Sequence, residues 1–162
     1  MNGPVIGIDA GNHGAVALLA ADGSAVLDVA ALPLVADGPA GRPTVNAVLL
    51  AALLRRWAPT VAYCENIAVF PTDGRVGAFA FGRCRGILEG ALGALSIPTR
   101  WLMVPTWRKA VGLPANASKD LARGEAITRW PASSEWFARP RDHDRAEACL
   151  VGLAGILRNP SP

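Results

Sequence analysis

Short apolar runs separated by glycine turns dominate the start of the chain and predict three β-strands. Residues 5–8 form a β-branched run that ends before a single carboxylate, which is typical of a buried strand. Gly11 and Gly14 allow a tight return into a second apolar run at 15–19. A third run at 25–32 follows a short turn, so the pattern predicts an antiparallel meander.

A helical pattern comes next, after a loop rich in glycine and proline. Thr44 is placed to cap a helix over 44–57, because its side chain can accept a hydrogen bond from the first turn. The apolar stripe predicted for this helix includes Val45, Val48 and Leu49.

Two more strands and a glycine-rich helix are predicted for the middle of the chain. Apolar runs at 61–65 and 97–103 predict the fourth and fifth strands, and the segment between them, 76–95, has a helical pattern. Its glycines favour close approach of another element, either within the monomer or across a subunit interface. They are Gly82, Gly86 and Gly90.

The last third of the chain is predicted to be helical. Pro105 opens a helix over 106–111, and Ser118 caps a helix that ends near Trp130. The final helix covers 141–157, and nearly all of its body is apolar. The alternation of strands and helices indicates an α/β protein.

Composition limits the class of protein without naming a function. The 162 residues suit one domain over 1–162, and 51% hydrophobic with 18% charged residues excludes a disordered chain. The sequence contains no run of about 18 strongly apolar residues, so no membrane-spanning helix is predicted. The net charge of +3 is mild support for a polyanionic partner, because many basic domains have none.

Cysteine usage and the N-terminus together predict a protein of the reducing cytoplasm. Cys64, Cys84 and Cys149 are odd in number and widely spaced, which fits neither a disulfide framework nor a zinc site. The N-terminus lacks the basic region of a signal peptide.

Carboxylates follow two of the predicted strands. Asp9 ends the first strand and Glu65 ends the fourth, and functional groups gather at the carboxyl ends of parallel strands. Asp9 can also serve simply as a turn cap, since aspartate often bonds its own following backbone. Two such acids on neighbouring strands support a shared site.

Further acids open the final helix. Asp144 and Glu147 are three residues apart and therefore project from one helical face. Asp142 and Asp144 also suit the helix dipole, which requires no further function. His143 lies four residues before Glu147 and can join the same face.

Convergence of Asp9, Glu65, Asp144 and Glu147 would require a cation, because like charges that close repel one another. Mg²⁺ prefers a few carboxylates together with water and substrate phosphate. Two such ions about 4 Å apart assist phosphodiester cleavage. No structural zinc is expected from ligands of this kind.

Basic residues accompany the glycine-rich helix and the helix that follows the fifth strand. Trp107, Arg108 and Lys109 combine an aromatic ring with two positive charges, a pairing that can hold nucleic acid. A buried Trp107 with solvated neighbours explains the same residues equally well. Arg75, Arg83 and Arg85 decorate the glycine-rich region.

Five motifs in order carry a resemblance to a known family. They are Ile-Gly-Ile-Asp-Ala-Gly at 6–11, Tyr-Cys-Glu at 63–65, Phe-Gly-Arg-Cys-Arg-Gly at 81–86, Val-Pro-Thr-Trp-Arg-Lys at 104–109 and Asp-His-Asp-Arg-Ala-Glu-Ala at 142–148. The chain resembles the RuvC family of Holliday junction resolvases, and most closely its compact phage-type members. The resemblance covers nearly the whole chain.

This resemblance implies a ribonuclease H-like fold, in which a five-stranded mixed sheet with an antiparallel first half carries helices on both faces. It also implies a homodimer that binds branched DNA and nicks four-way junctions in pairs, as in DNA recombination and repair. The expected cofactor is Mg²⁺, with two ions per active site and Mn²⁺ as a substitute.

The family's catalytic, metal-binding positions match Asp9, Glu65, Asp144 and Glu147, with Glu147 in place of an aspartate. Some members carry histidine at the position of Asp144. Asp142 and His143 therefore remain alternative metal ligands here. The nucleic-acid-binding residues expected from the basic regions are Arg75, Arg83, Arg85, Arg108 and Lys109.

Three other functions fit part of the pattern. A related ribonuclease H-like nuclease would act on flaps or hybrids. A sugar kinase or actin-like ATPase also opens with a strand, an aspartate and a glycine turn, but it needs a second lobe that 162 residues do not supply. A non-catalytic DNA-binding relic would have little reason to keep four clustered acids.

Overall fold

The computed structural model describes residues 3–11, 13–38 and 41–159. The strands are β1 (Val5–Asp9), β2 (Ala15–Leu19), β3 (Val26–Ala31), β4 (Leu34–Val35), β5 (Thr44–Val45), β6 (Val61–Asn66) and β7 (Thr99–Met103). The helices are α1 (Ala47–Trp57), α2 (Gly74–Ala94), α3 (Val104–Ala110), α4 (Lys119–Arg129) and α5 (His143–Arg158).

The main sheet has five strands in the order β3-β2-β1-β6-β7. β2 is antiparallel to both β1 and β3, whereas β6 and β7 run parallel to β1. The predicted mixed sheet with an antiparallel first half is therefore confirmed. β4 and β5 form a separate two-stranded pair, so the segment predicted as a loop before the first helix contains a short strand.

Alternation along β1 decides which helices cover which face of the sheet. Val5 belongs to the cluster that contains residues of α3, α4 and α5, whereas Ile6 and Ile8 belong to the cluster that contains residues of α1 and α2. Successive side chains of a strand point to opposite faces, which explains this division. Helices therefore pack on both faces, as predicted.

Helix α5 lies directly on β1 because glycines face each other at the contact. A Cβ atom on Gly7 would lie 2.0 Å from the carbonyl oxygen of Ala148 and 2.5 Å from the nitrogen of Gly152. One turn further along α5, a Cβ on Gly155 would lie 2.0 Å from a ring carbon of Tyr63. Only glycine permits this separation between helix and sheet.

Helix α1 differs from its prediction at its start and on its apolar face. Asn46, not Thr44, is the N-cap, and its side chain accepts hydrogen bonds from the first-turn amides at 3.1 Å. The expected stripe is wrong, because Val48 is 78% exposed and Leu49 54% exposed. The stripe that packs against the sheet is formed by Leu50, Leu54 and Trp57, which follow the helical spacing i, i+4, i+7.

The remaining helices follow the prediction closely. Ser118 caps α4, where its hydroxyl accepts a hydrogen bond from the Leu121 amide at 3.1 Å. Helix α5 begins at His143, two residues later than expected, because a 3₁₀ turn at Pro140–Asp142 precedes it. Within the described ranges, no helix is both long enough and apolar enough to cross a membrane.

Candidate functional site

Asp9 and Glu65 end neighbouring parallel strands on the same face of the sheet. Gly7 pairs with Tyr63 in the register of β1 and β6, and Asp9 and Glu65 each lie two residues further along. Residues two apart share a face, so both carboxylates point toward the side covered by α5. The structure brings these two predicted residues to one cleft of about 620 Å³.

Helix α5 adds two acids to the same cleft. Asp9, Asp144 and Glu147 each offer a carboxylate oxygen, and these oxygens all lie within 4.8 Å of one another. The glycine contact places Ala148 against β1, so the turn before it, which carries Asp144 and Glu147, lies over the end of that strand. Glu65 lines this cleft as well.

The surroundings of Asp9 favour its protonated form. Burial raises its pKa well above the usual value, and the negative charges of Glu65 and Glu147 raise it further. A hydrogen bond from the Gly11 amide to its Oδ1, 3.1 Å long, acts in the opposite direction. Asp9 therefore caps the turn and also belongs to the acidic cluster, so both interpretations of this residue from the sequence apply at once.

Two more carboxyl groups of the cluster have raised pKa values. Burial is the main reason that the pKa values of Glu65 and Glu147 are raised, and the charge of Glu147 raises that of Glu65 further. Buried like charges without full compensation favour proton uptake. Cations bound in the cleft would remove that tendency, because they stabilise the ionised carboxylates.

Trp107 connects the hydrophobic core to the acidic cluster. Its side chain is fully buried, and its indole Nε1–H donates a hydrogen bond to Oε2 of Glu65 at 3.0 Å. This bond lowers the pKa of Glu65 against the effect of burial. The donor fixes one oxygen of the carboxylate, so the orientation of the Glu65 side chain depends on α3.

Two basic residues compensate part of the acidic charge. Nη2 of Arg108 lies 3.5 Å from Oε1 of Glu147, and Nζ of Lys119 lies 3.7 Å from Oδ1 of Asp144. Arg108 also donates to the carbonyl of Ala115 at 2.8 Å. The two ion pairs therefore offset only part of the negative charge that four ionised carboxylates would carry.

His143 and Asp142, the alternative ligands, occupy different surroundings. Nδ1 of His143 lies 3.0 Å from the carbonyl of Pro140, and a carbonyl only accepts, so this nitrogen carries the proton. Its Nε2 lies 2.9 Å from Oδ1 of Asp144 and lines the cleft. Asp142 instead faces Arg139, whose Nε and Nη2 donate to its two oxygens at 3.0 and 2.9 Å, and this lowers its pKa.

The five basic residues predicted to contact nucleic acid are divided by the structure. Arg108 alone among them lines the cleft, while Arg75 and Lys109 are exposed elsewhere on α2 and α3. Arg83 binds Asp37 at 3.2 Å. Arg85 binds Glu89 and Asn66, and its guanidinium carbon lies 3.3 Å from the ring centroid of Trp101.

Sequence analysis missed several residues that line the cleft. No role in the site was predicted for any of them from the sequence. Their proximity to the acids depends on contacts between distant segments, and no local motif indicates it. The missed residues are His13, Ile67, Phe81, Lys119 and Arg141.

The donor set fits a hard divalent cation. Asp9, Asp144 and Glu147 supply clustered oxygens, Glu65 lies in the same cleft, and His143 is the nearest nitrogen donor. Oxygen-rich sites of this kind suit Mg²⁺ or Mn²⁺ and do not resemble structural zinc sites, which use cysteine and histidine. These residues are the ones that would hold the ions.

The chain is similar in structure to RuvC of Thermus thermophilus. A structure of T. thermophilus RuvC in complex with a Holliday junction substrate superposes with a TM-score of 0.71 at 16% identity, covering 96% of this chain and 93% of that chain. A second T. thermophilus RuvC structure gives 0.72 at 18% identity, with 95% and 93% covered. No protein-family model matches the chain, and no curated protein matches its sequence. The resemblance carried by the five motifs is thus confirmed in the fold: the chain has the ribonuclease H-like fold of RuvC.

Proposed function

We propose that this protein is a divalent-metal-dependent DNA endonuclease that resolves four-way junctions by paired nicking. The observation that carries the proposal is the convergence of Asp9, Asp144 and Glu147 within 4.8 Å, with Glu65 in the same cleft, on a fold shared with RuvC. Mg²⁺ is the proposed cofactor, with two ions per site and Mn²⁺ as a substitute.

The carboxylates of Asp9, Glu65, Asp144 and Glu147 are the proposed ligands. When bound, such ions activate water and stabilise the leaving oxygen of a phosphodiester. Trp107 would keep Glu65 in the orientation that ligation requires. Loss of a donor that hydrogen-bonds a metal-binding carboxylate in this way often changes metal affinity or activity by about 10–100-fold.

Basic residues would hold the polyanionic substrate beside the acids. Arg108 and Lys119 contact the carboxylates at 3.5 and 3.7 Å, so a phosphate that enters the cleft meets both positive side chains. The predicted DNA contacts of Arg75, Arg83, Arg85 and Lys109 remain part of the proposal. Arg83 and Arg85 would first have to exchange their present carboxylate partners for phosphates.

Paired nicking requires two sites related by a two-fold axis, which a homodimer supplies. The proposed interface is the exposed face of α2 that contains Gly82, Gly86 and Gly90, where a Cβ would meet no atom within 4 Å. Phe79, 63% exposed, shares this face.

Each subunit would be a single nuclease domain over 1–162. The cytoplasm is the proposed location, where cysteines that are free and buried in this structure stay reduced.

The proposal is tested with labelled four-way junction, duplex, flap and RNA/DNA hybrid, each incubated with Mg²⁺, with Mn²⁺ and with EDTA. Wild-type protein should nick the junction symmetrically and only with metal. Asp9→Asn should reduce cleavage by several orders of magnitude, because it removes a ligand charge, while junction binding persists or tightens.

Each other outcome has a defined meaning. Preferential cleavage of flaps or hybrids would assign the site to a different ribonuclease H-like nuclease. Cleavage at the wild-type rate by folded Asp9→Asn would refute the catalytic assignment. Asp22→Asn provides the matched control, since this exposed carboxylate lies in the turn between β2 and β3 and does not line the cleft. Light scattering that gives a single-chain mass, with and without junction DNA, would contradict the dimer.

A further inference from the structure

We propose a second subsite, beside the acidic cleft, that binds a phosphate of the DNA strand undergoing cleavage. This inference rests on the proposed nuclease function and deepens it. The subsite is a pocket of about 310 Å³ that shares His13, Gly14, Arg141 and Asp144 with the acidic cleft. A strand that leaves the cleft on this side therefore enters the pocket directly.

The pocket carries positive charge that the protein does not neutralise. Its arginines are Arg139, Arg141 and Arg145, and its only acids are Asp142 and Asp144. Arg139 binds both oxygens of Asp142, at 2.9 and 3.0 Å, and the carboxylate is 4% exposed. Asp144 in turn lies 3.7 Å from the Lys119 ammonium. Both acids of the pocket are thus already paired.

Two guanidinium groups remain available as a result. Throughout 3–11, 13–38 and 41–159, no acceptor lies within hydrogen-bond distance of the Arg141 or Arg145 side chain, and neither side chain forms an ion pair. Both line the same pocket, so their positive charges face one space and repel each other. An anion between them would relieve that repulsion.

A phosphodiester is the anion that this arrangement suits. Guanidinium groups bind phosphate oxygens through two parallel hydrogen bonds, and a pair of them can hold both free oxygens of one phosphate. The pair of Arg139 and Asp142 also fixes the 3₁₀ turn at Pro140–Asp142, within which Arg141 lies. The Arg141 backbone is therefore positioned before any ligand binds.

The subsite gives the nuclease a second route for DNA contact. The predicted residues Arg83 and Arg85 are paired with Asp37 and Glu89 on α2 and its neighbours, away from the lining of the cleft. Arg141 and Arg145 instead border the acids directly. We therefore expect them to contact a phosphate adjacent to the one that is cleaved, rather than a distant arm of the junction.

The test compares two double variants that remove equal charge. Arg141→Ala with Arg145→Ala removes the subsite, whereas Arg55→Ala with Arg158→Ala removes two exposed arginines that line neither pocket. Binding of a fluorescent four-way junction is measured by anisotropy in EDTA from about 50 to 200 mM salt. The subsite variant should lose at least tenfold in affinity, with a salt slope shallower by about one, compared with the control, because one phosphate contact is lost.

A second measurement locates the contact on the DNA. Single methylphosphonate replacements are placed at each phosphate within three positions of the cut. Wild type and the control variant should lose affinity at one flanking phosphate, and the subsite variant should be insensitive there. Mn²⁺ affinity measured by calorimetry should not fall in either double variant, because every proposed ligand is kept and only positive charge is removed.

Each result decides between the inference and its alternatives. Equal losses in the two double variants would overturn the subsite and identify Arg141 and Arg145 as solvated surface residues. Failure of wild type to bind or cleave any DNA would instead overturn the proposed function itself. If thermal melting shows that the double variant is unfolded, Arg141→Gln alone is judged by the same methylphosphonate comparison.

Discussion

Helices α2 and α5 both contain several glycines, but the two helices place them in opposite surroundings. A Cβ on Gly155 of α5 would lie 2.0 Å from the Tyr63 ring, and a Cβ on Gly152 would lie 3.1 Å from the Gly7 nitrogen. On α2, a Cβ on Gly86 or Gly90 would meet no atom within 4 Å. The same residue type therefore serves close packing on one face of the sheet and leaves an open surface on the other.

The difference shows how packing and chemistry are coupled in this fold. On the α5 side, the glycines allow the helix to lie on β1, and the same approach brings Asp144 and Glu147 to Asp9. On the α2 side, no acid of the cluster is present, and the glycine face is free for contact outside the monomer. Changes at the α5 glycines should disturb folding and the site together, whereas changes at the exposed α2 glycines should disturb neither within one subunit.

The largest expected difference concerns one glutamate on each helix. Glu147→Gln on α5 should reduce metal-dependent junction cleavage by several orders of magnitude, because it removes a proposed ligand charge. Glu89→Gln on α2 makes the same chemical change at an exposed residue paired with Arg85. Single-turnover cleavage rates check both variants. A Glu147→Gln enzyme as fast as Glu89→Gln would remove α5 from the catalytic site.

The next effect compares glycines directly. Gly155→Ala should destabilise the protein by about 1–3 kcal/mol or more, because the new methyl group overlaps the buried Tyr63 ring. Gly86→Ala should stabilise the subunit by up to about 1 kcal/mol through helix propensity. Urea unfolding monitored by circular dichroism measures both. Equal changes of the same sign would contradict the packing contrast, and loss of dimer mass in Gly86→Ala would support the proposed interface.

A smaller effect tests whether Trp107 on α3 contributes to metal binding by the acidic cluster. Trp107→Phe removes the hydrogen bond to Glu65, whereas Trp130→Phe removes an equivalent buried bond of 3.0 Å to the Gly23 carbonyl, remote from the acids. Both should lose about 1 kcal/mol of stability. Only Trp107→Phe should weaken Mn²⁺ binding, by about 10–100-fold, in calorimetric titrations. Identical metal affinities would limit Trp107 to a packing role.

The smallest expected effect is the pH dependence of the metal-free protein. Burial raises the pKa values of Asp9, Glu65 and Glu147, so the folded state binds more protons than the unfolded state just above the usual carboxyl range. Stability should therefore fall as pH rises from the unfolded pKa values through the raised folded ones. Asp142 has a lowered pKa and acts in the opposite sense, losing its contribution as pH falls.

Thermal melts across pH, with and without Mg²⁺, check this dependence. At a hundredfold excess over its dissociation constant, Mg²⁺ should add about 2.7 kcal/mol and oppose the loss at higher pH. Asp9→Asn should flatten the metal-free profile, while Glu89→Gln should leave it unchanged. A metal-free profile that rises through the same pH range would show that burial of the cluster does not control it.

Some of the site could be predicted from local sequence because short-range rules determine it. The apolar run before Asp9 and the similar run before Glu65 predict strand ends, and the spacing of Asp144 and Glu147 predicts one helical face. These rules depend only on residues within one or two turns of each other. The five strands of the main sheet and the presence of each long helix could be predicted for the same reason.

Other features could not be predicted because they depend on competition between equivalent local choices. Thr44 and Asn46 are both good helix caps, but Thr44 pairs with Val35 between β5 and β4, which leaves Asn46 as the cap. Asp142 and Asp144 are chemically alike, yet the hydrogen bonds from Arg139 hold Asp142 away from the cluster. Spacing along the chain does not decide either case.

The sequence by itself determined the order of strands and helices, the buried strand ends and the presence of acids at them. Tertiary structure alone decided that Trp107 donates to Glu65, that Lys119 lies beside Asp144, and that Arg141 and Arg145 line the same pocket. The physical reason is that side-chain periodicity places residues on faces, whereas the approach of α5 to Gly7 decides which faces meet. That approach is a contact between residues about 145 positions apart in the chain, and no local propensity specifies it.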